Sequence, residues 1–439
     1  MKGGIMSREV IQIIERETPK KEKSDYSEFV VRISASPEIK IAPEAKQAKL
    51  KIQKPLVEKV EGPFTEDGKQ VEEMVVGNTY IFKATEFQSS IFTPIKHIWW
   101  AEEIEDNGKI EDLPLDKENL FKDDKGAVCF KYTPKKSGKI RIYAYVSNPS
   151  KKVSIETTVY EAIKKEIVLI AGTEQHSASY GNKLMFPAQA IREVYKNYSK
   201  EEYLTIILFK DGYNSEQIQQ IKESAVKHNK NVNYKEVANI SQVIDYFNKG
   251  DRETVRNKPN SKNHLVKIGE IKIFAHGLPS IFDFGLDGPN EFSQRFKKED
   301  VVKLDPKVFD LPVIHSYACR TGNTDASEFF GENWETLAKP EESLAQNLAD
   351  YLDATVFAFI NRSNYIPTWD DKQDANYQKG YEEIEDEDVN GRIYKPWNWD
   401  ETLWHDNGAY GKPRAGTSPV GLPETMYKFQ KGKKPTPKL

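Results

Sequence analysis

The chain is poor in cysteine and has no long apolar segment. Its 439 residues include two cysteines, Cys129 and Cys319. We therefore expect no disulfide framework, and either a reducing compartment or an exported protein with a free catalytic thiol. No apolar stretch approaches the roughly 18 residues that a membrane-spanning helix needs. Because residues 1–10 also lack the apolar core of a signal peptide, the sequence predicts a cytoplasmic protein, or one exported without a cleavable signal peptide.

Several function classes lack their sequence signature in this chain. The formal net charge is −4 and 30% of the residues are charged, so there is no basic excess of the kind that binds nucleic acid. The chain has no G-x-S-x-G, no Walker A motif, no G-x-G-x-x-G after a strand and no H-E-x-x-H. These absences remove several competing enzymes, and we expect neither a metal nor a cofactor.

Composition divides the chain into four segments. Residues 1–54 are rich in Lys and Glu and are predicted to form an N-terminal arm or linker. Residues 55–161 are predicted to form an all-β, antiparallel, immunoglobulin-like sandwich, because runs of period two such as Ala127–Thr133 alternate with turns. Residues 162–365 alternate strands with helices. Residues 366–439 are rich in Trp, Gly and Pro and are predicted to form a loop extension packed on the preceding domain.

Two features of the sandwich segment invite a functional interpretation but favour a structural one. Cys129 lies between Val128 and Phe130 in an alternating run, so its thiol is predicted to face the core. The pair Trp99-Trp100 is predicted to contribute one ring to the core and one to the rim, rather than a platform for sugars. The sandwich as a whole is a candidate surface for docking a partner or a delivery machinery.

The segment 162–365 has the order that is typical of a parallel sheet covered by helices on both faces. Its fold class is therefore predicted to be α/β, with a mostly parallel sheet. One helix is expected to have Asn214 or Ser215 as its N-cap, since both residue types commonly cap helix N-termini. Apolar patterns predict strands at Glu166–Ala171, Tyr203–Phe209, Ile268–Ala275 and Thr355–Phe359, and helices at Pro187–Tyr198, Ser215–His228, Ile240–Phe247 and Glu342–Leu352.

Two of the apolar runs lead to residues that carry chemistry. The strand Ile271–Ala275 ends in His276-Gly277, and the run around Val313 and Ile314 leads to Cys319. If these strands are parallel neighbours, an imidazole and a thiol meet at the carboxyl edge of the sheet, where ligands bind in open α/β folds. The alternative is a buried structural cysteine and a histidine satisfied in a turn.

The chemistry explains why these residue types would stand together. A free thiol is mostly protonated at neutral pH, and a nearby imidazolium favours the thiolate. The same imidazole can then protonate a leaving amine. Because Gly277 has no side chain, its N–H can approach a substrate carbonyl, and with the N–H of Cys319 it would form an oxyanion hole worth about 2.7–4 kcal/mol per donor.

The pattern His276-Gly277 followed by Ser316-Tyr-Ala-Cys319-Arg-Thr-Gly322 resembles the caspase-like cysteine peptidases of clan CD, including the bacterial CHAT-type members. The resemblance covers roughly Ile163 to Tyr365. It implies a caspase-like sheet, His276 as general base and acid, Cys319 as nucleophile and Gly277 as an oxyanion donor. Tyr317 stands where animal caspases have a glutamine that helps to read an aspartate, so cleavage after Asp is not favoured.

Two further residues are candidates for substrate binding, together with Tyr317. Glu174 follows the first predicted strand, on a loop that in this family commonly supplies a charged residue to the specificity pocket, and there it would read Lys or Arg. The alternative for Glu174 is an exposed loop carboxylate without a role in the site. Cleavage after small or apolar residues is an equally weighted alternative. Asp325 follows the nucleophile by six residues and is predicted either to line the pocket or to cap the next segment.

Together these features predict a cysteine endopeptidase acting on a protein or peptide, with a Cys319–His276 dyad. The modular layout would also suit a delivered bacterial effector or toxin, by analogy at the level of the fold. Two alternatives stay open. One is a caspase-like binding or scaffold module without activity, and the other is a transferase or deamidase that uses the same thiol.

Overall fold

The computed structural model describes residues 54–89, 95–104, 108–175, 184–249, 264–365, 368 and 406–438. The predicted N-terminal arm, apart from residue 54, and the tail from 369 to 405 lie outside the described residues. The chain forms two compact units. The described part of the first is 54–64, Ile81–Tyr132 and Arg141–Glu156, and that of the second is Thr65–Tyr80, Thr133–Ile140 and Thr157 onwards.

The segment before residue 161 forms two β-sheets. Its strands are β1 (Leu56–Phe64), β2 (Glu73–Val75), β3 (Tyr80–Gln88), β4 (Trp99–Ile104), β5 (Ile110–Asp112), β6 (Leu120–Lys122), β7 (Val128–Tyr132), β8 (Gly138–Tyr145) and β9 (Ser154–Tyr160). One sheet has the order β1-β3-β7-β6 and the other β2-β9-β8-β4-β5. The expectation of a wholly antiparallel segment is wrong in one respect, since β2 pairs with β9 in parallel.

Aromatic residues from the two sheets meet in the core of this segment. Trp100 on β4 is fully buried and stacks on Phe130 on β7, with ring centroids 5.3 Å apart. Trp99 is 44% exposed, so the prediction of one core ring and one rim ring is confirmed. Cys129 is fully buried, as its place in the alternating run predicted.

The remaining described chain contains five α-helices and thirteen strands. The helices are α1 (Met185–Asn197), α2 (Ser215–His228), α3 (Ile240–Lys249), α4 (Trp334–Ala338) and α5 (Leu344–Leu352). The strands are β10 (Ala162–Ala171), β11 (Leu204–Phe209), β12 (Asn233–Val237), β13 (His264–Phe274), β14 (His276–Leu278), β15 (Ile281–Asp283), β16 (Arg295–Lys297), β17 (Phe309–Ser316), β18 (Thr355–Phe359), β19 (Ser363–Asn364), β20 (Arg414–Ala415), β21 (Met426–Gln430) and β22 (Thr436–Pro437).

Eight of these strands form one large mixed sheet with the order β12-β11-β10-β13-β17-β18-β21-β22. The first six are parallel, and β21 and β22 are antiparallel additions at one edge. The central strands β10 and β11 are apolar runs because parallel strands in such a sheet are buried on both faces. The carboxyl ends of β10, β13, β17 and β18 consequently lie along one edge of the sheet.

Helices cover both faces of this sheet. Alternate residues of β10 separate the two cores, with Val168 and Ile170 facing α3 and α5 and with Ile167 and Leu169 facing α1 and α2. The helix α2 begins as predicted, because the Asn214 side chain accepts a hydrogen bond from the N–H of Gln217. The fold class of the segment is therefore mixed α/β with a large, mostly parallel sheet.

The predicted elements of this segment agree with the structure, but the tail does not. The strand Thr355–Phe359 has the predicted bounds, and α1 is shifted by two residues or fewer from its prediction. The tail was predicted as loops, whereas Met426–Gln430 pairs with β18 and extends the sheet. Its two aromatic residues, Tyr427 and Phe429, lie in the core of the α3 and α5 face. Within the described residues, no helix is long and apolar enough to cross a membrane.

Candidate active site

The strands that end in His276-Gly277 and in Cys319 are parallel neighbours. In the pairing of β13 with β17, Ile273 stands opposite Ser316, and the N–H of Tyr317 donates to the Ile273 carbonyl at 2.9 Å. This register brings the residues after both strand ends to the same place on the carboxyl edge of the sheet. The prediction that the two strands are parallel neighbours is confirmed.

Gly277 lies directly against the backbone of the residue it was predicted to assist. A β-carbon at position 277 would stand 2.7 Å from the Cys319 nitrogen and 3.0 Å from the Ala318 β-carbon. Such an approach is closer than real β-carbons make, and the obstructing Cys319 atoms belong to the main chain. Position 277 therefore requires glycine for close contact between the two strand ends rather than for an unusual backbone conformation.

The loop after β10 brings a carboxylate to the histidine. Nε2 of His276 lies 2.7 Å from Oε2 of Glu174. The glutamate side chain is 4% exposed and that of the histidine 19%. β10 and β13 are paired so that Ala171 stands opposite Phe274. Glu174 follows Ala171 by three residues and His276 follows Phe274 by two, so these residues meet just beyond the ends of the two strands.

This contact changes the interpretation of Glu174. The sequence placed the residue correctly at the carboxyl edge but predicted that its carboxylate would read a substrate side chain. The carboxylate instead bonds the histidine and is almost wholly buried. The expected preference for Lys or Arg therefore loses the residue on which it rested.

Two aromatic rings pack beside the histidine. Phe186, from the first turn of α1, meets the imidazole of His276 edge to face at a centroid distance of 5.0 Å and meets Tyr365 in the same way at 5.2 Å. Burial raises the pKa of the Tyr365 phenol well above its ordinary value, so this group is neutral. Its hydroxyl donates to the Tyr317 carbonyl at 3.3 Å, which ties the segment after β18 to the segment that precedes the nucleophile.

The thiol of Cys319 is half-buried and its sulfur contacts Ser363. The Ser363 N–H donates to the sulfur at 3.3 Å, and the Ser363 hydroxyl oxygen lies 3.2 Å from it. Ser363 begins β19, just after β18, and β18 is the sheet neighbour of β17. Nothing in the sequence around Ser363 marked it as part of the site.

Asp325 and Arg320 shape the loop after the nucleophile. The Arg320 guanidinium donates to the carbonyls of Asp325 and Ser327 and pairs with Glu328 at 3.1 Å. Its side chain thus braces the loop. The Asp325 carboxylate accepts from the Ser327 N–H at 2.7 Å, so the capping alternative describes it and the pocket-lining alternative loses support.

Tyr317 was predicted to stand in the specificity pocket, and its burial does not support that position. The residue is 5% exposed, and its ring stacks on Phe274 with a centroid distance of 5.1 Å. Burial also raises the pKa of the phenol above its ordinary value. The ring is part of the core on the α1 and α2 face of the sheet, and it has no role in the site proposed below.

The second thiol is unsuited to chemistry. Burial, with a smaller contribution from Asp123, raises the pKa of Cys129 above its ordinary value.

Among the described residues, no group of three or more His, Cys, Asp or Glu side chains is arranged to hold a metal ion.

Comparison with known proteins gives no family for this chain. No family model matches it, and no curated protein matches it. Among solved structures, the filamin domain of Lin-41 aligns with 23% of this chain and 97% of its own, at 12% identity and a TM-score of 0.15. A sialyltransferase from Photobacterium damsela aligns with 76% of this chain and 62% of its own, at 11% identity and a TM-score of 0.21. Similarities of this size carry no information about the function.

Proposed function

We propose that this protein is a cysteine endopeptidase in which Cys319 is the nucleophile and His276 the general base and acid. The observation that carries the proposal is the arrangement at the sheet edge. The backbone after His276 lies against the backbone of Cys319, and Nε2 of the imidazole is bonded to the buried carboxylate of Glu174. A nucleophile, a base and a group that orients the base are the parts that covalent catalysis by a thiol requires.

The bond to Glu174 sets the role of each ring nitrogen. In the proposed neutral tautomer, Nε2–H donates to the carboxylate and Nδ1 is assigned as the nitrogen that exchanges the proton with the thiol. When Nδ1 takes the thiol proton, the carboxylate lies next to the new positive charge and stabilises it. A charge-assisted hydrogen bond of this kind contributes roughly 1.5–3 kcal/mol.

The proposed reaction has two stages. The Cys319 sulfur attacks the carbonyl carbon of the substrate and the carbonyl electrons move to oxygen, which the N–H groups of Gly277 and Cys319 stabilise. As the C–N bond breaks, the amine takes the proton from Nδ1 of His276, and a thioester remains. Water then attacks the thioester carbonyl carbon and gives a proton to Nδ1. The C–S bond breaks, the carboxylic acid leaves, and the sulfur of Cys319 takes the proton back from Nδ1.

The finer features of the fold are proposed on the same basis. Six parallel strands with the base and the nucleophile on adjacent strand ends support a caspase-like sheet. Two sheets that meet through Trp100 and Phe130 support an immunoglobulin-like sandwich, whose proposed role is to dock a partner or a delivery machinery. The substrate is a protein or peptide, as expected for a delivered effector or for a cytoplasmic peptidase.

Labelling and hydrolysis test the proposal together. An acyloxymethyl ketone peptide should label Cys319 of the full chain and leave Cys129 unlabelled, as read from intact mass and peptide mapping. A fluorogenic peptide library should be hydrolysed by the unmodified protein and by Cys129→Ala, but not by Cys319→Ala or His276→Asn. Hydrolysis that survives Cys319→Ala would refute the proposal. Ammonia release from glutamine substrates, or acyl transfer without hydrolysis, would instead favour the deamidase or the transferase.

A further inference from the structure

Three atoms of Ser363 surround the sulfur of Cys319. The Ser363 N–H donates to the sulfur at 3.3 Å, the hydroxyl oxygen lies at 3.2 Å, and the carbonyl oxygen lies at 3.9 Å. The half-buried sulfur thus has two groups able to donate hydrogen bonds to it and two able to accept a bond from its proton. A single residue can therefore serve both protonation states of the thiol.

Hydrogen bonds and strand pairing fix the backbone before and at Ser363. The N–H of Arg320, next to the nucleophile, donates to the Asn361 carbonyl at 2.9 Å, and the N–H of Arg362 donates to Ser418 at 2.8 Å. Ser363 itself pairs with Ala415 in the ladder between β19 and β20. Because these bonds fix the chain before and at Ser363, its N–H points at the sulfur at little conformational cost.

We propose that Ser363 stabilises the thiolate of Cys319 through its N–H and hydroxyl and positions the sulfur for attack. In the protonated state, S–H bonds the Ser363 carbonyl or hydroxyl oxygen. In the thiolate state the hydroxyl rotates to donate, and the sulfur accepts two hydrogen bonds. The importance of this for catalysis rests on the proposed peptidase function, whereas its effect on the thiol does not.

The inference has a signature that a merely structural role would not produce. Without the hydroxyl, a smaller fraction of the sulfur is ionised at neutral pH, but each thiolate is a stronger nucleophile, with a Brønsted slope of about 0.4–0.5. If the midpoint of the pH–rate profile rises by about one unit, alkylation well below it slows about threefold, and the plateau at high pH rises about threefold. Loosening of the site would change the rate in one direction at all pH values.

The experiment is alkylation of Cys319 in the full chain by iodoacetamide from pH 5 to pH 10, with Cys319 followed by peptide mapping. The variants are Ser363→Ala, which keeps the N–H and removes the hydroxyl, and the pair Ser363→Thr and Ser363→Val, which match in size and differ in the hydroxyl. We expect the crossing profile for the alanine and valine variants, and the original profile for the threonine variant.

Three results would overturn the inference. These are an unchanged profile in Ser363→Ala, a profile scaled by one factor at every pH, and equal profiles for Ser363→Thr and Ser363→Val. Urea-denatured protein gives the profile of a fully exposed thiol. If the profile of Ser363→Ala matches that of the denatured protein, the variant has unfolded. The comparison of Ser363→Thr with Ser363→Val then tests the inference. Peptide hydrolysis that survives Cys319→Ala would remove the proposed function without touching the alkylation result, so the two failures are distinguishable.

Discussion

Replacing His315 by phenylalanine tests whether this half-buried histidine, four residues before the nucleophile, stays neutral in the folded protein. Its ring stacks between Phe357, at a centroid distance of 4.8 Å, and Tyr317, at 6.3 Å. In the described part of the chain, its buried Nδ1 has no hydrogen-bond partner. The pKa of His315 is lowered to about 3, mainly by burial and to a smaller extent by Lys438, Lys272 and Lys412, against the opposing effect of Glu193.

Because the pKa of His315 is lower in the folded protein than in the unfolded chain, the sign of its effect on stability can be worked out. Above the ordinary pKa of about 6.5, the ring is neutral in both states and contributes no pH dependence. Between pH 6.5 and 3 the unfolded chain binds a proton that the folded protein excludes, so the free energy of unfolding decreases as the pH falls. At about 1.4 kcal/mol per pH unit, the loss at pH 5 is about 2 kcal/mol, or roughly 30-fold in the equilibrium constant.

Phenylalanine keeps the aromatic stack and removes the titration. The quantity to compare is the free energy of unfolding of His315→Phe minus that of wild type. We expect this difference to be about 2 kcal/mol larger at pH 5 than at pH 8, in favour of the folded variant. Native-state hydrogen exchange of the amides in β13, β17 and β18 gives a local measurement, which suits a chain with two compact units. Comparing variant and wild type at the same pH cancels the intrinsic exchange rates.

The measurement at pH 8 is the internal control, because neither state carries the extra proton there. A variant that differs from wild type by the same amount at both pH values would show that His315 titrates alike in the folded and unfolded chain. The burial of a neutral ring would then be wrong, and His315 would have to be reconsidered as a group that takes up a proton in the folded protein.

The remaining predictions concern the site. Glu174→Gln should lower kcat for peptide hydrolysis about 10- to 100-fold, because the charge next to the histidine is lost. Asp325→Asn should change it less than threefold, and an equal loss in both variants would contradict the assignment. Gly277→Ala should abolish hydrolysis and destabilise the fold by about 1–3 kcal/mol, since its β-carbon meets main-chain atoms. Gly331→Ala, which has no neighbour within 4 Å, is the matched control, and similar melting temperatures would contradict the steric reasoning. Cys129 should resist iodoacetamide at pH 8.5, because burial raises its pKa, and native labelling there would show that the sandwich core is open.

The sequence by itself determined most of the strands and helices and the positions of the reactive residues along them. Apolar runs are local signals, and they predicted β10, β11, β13 and β18 and the helices α1, α2, α3 and α5, but not β12 or α4. The burial of Cys129 followed from the alternation of a strand, since its period of two fixes which residues share a face. The placement of His276 and Cys319 just after strand ends was also local, because a strand ends where its apolar pattern ends.

Only the tertiary structure decided which of these ends are neighbours and which atoms meet. Strand order and register depend on packing of whole elements, and here they place β13 between β10 and β17. That order brings the Glu174 carboxylate to the histidine and the Ser363 N–H to the sulfur, across 102 and 44 residues of chain. The direction of a loop side chain depends on the neighbours that the fold supplies, so Glu174 was recognised by position and misassigned by role. Ser363 carries no local signal, because only the pairing of β18 with β17 brings the Cys319 sulfur next to it.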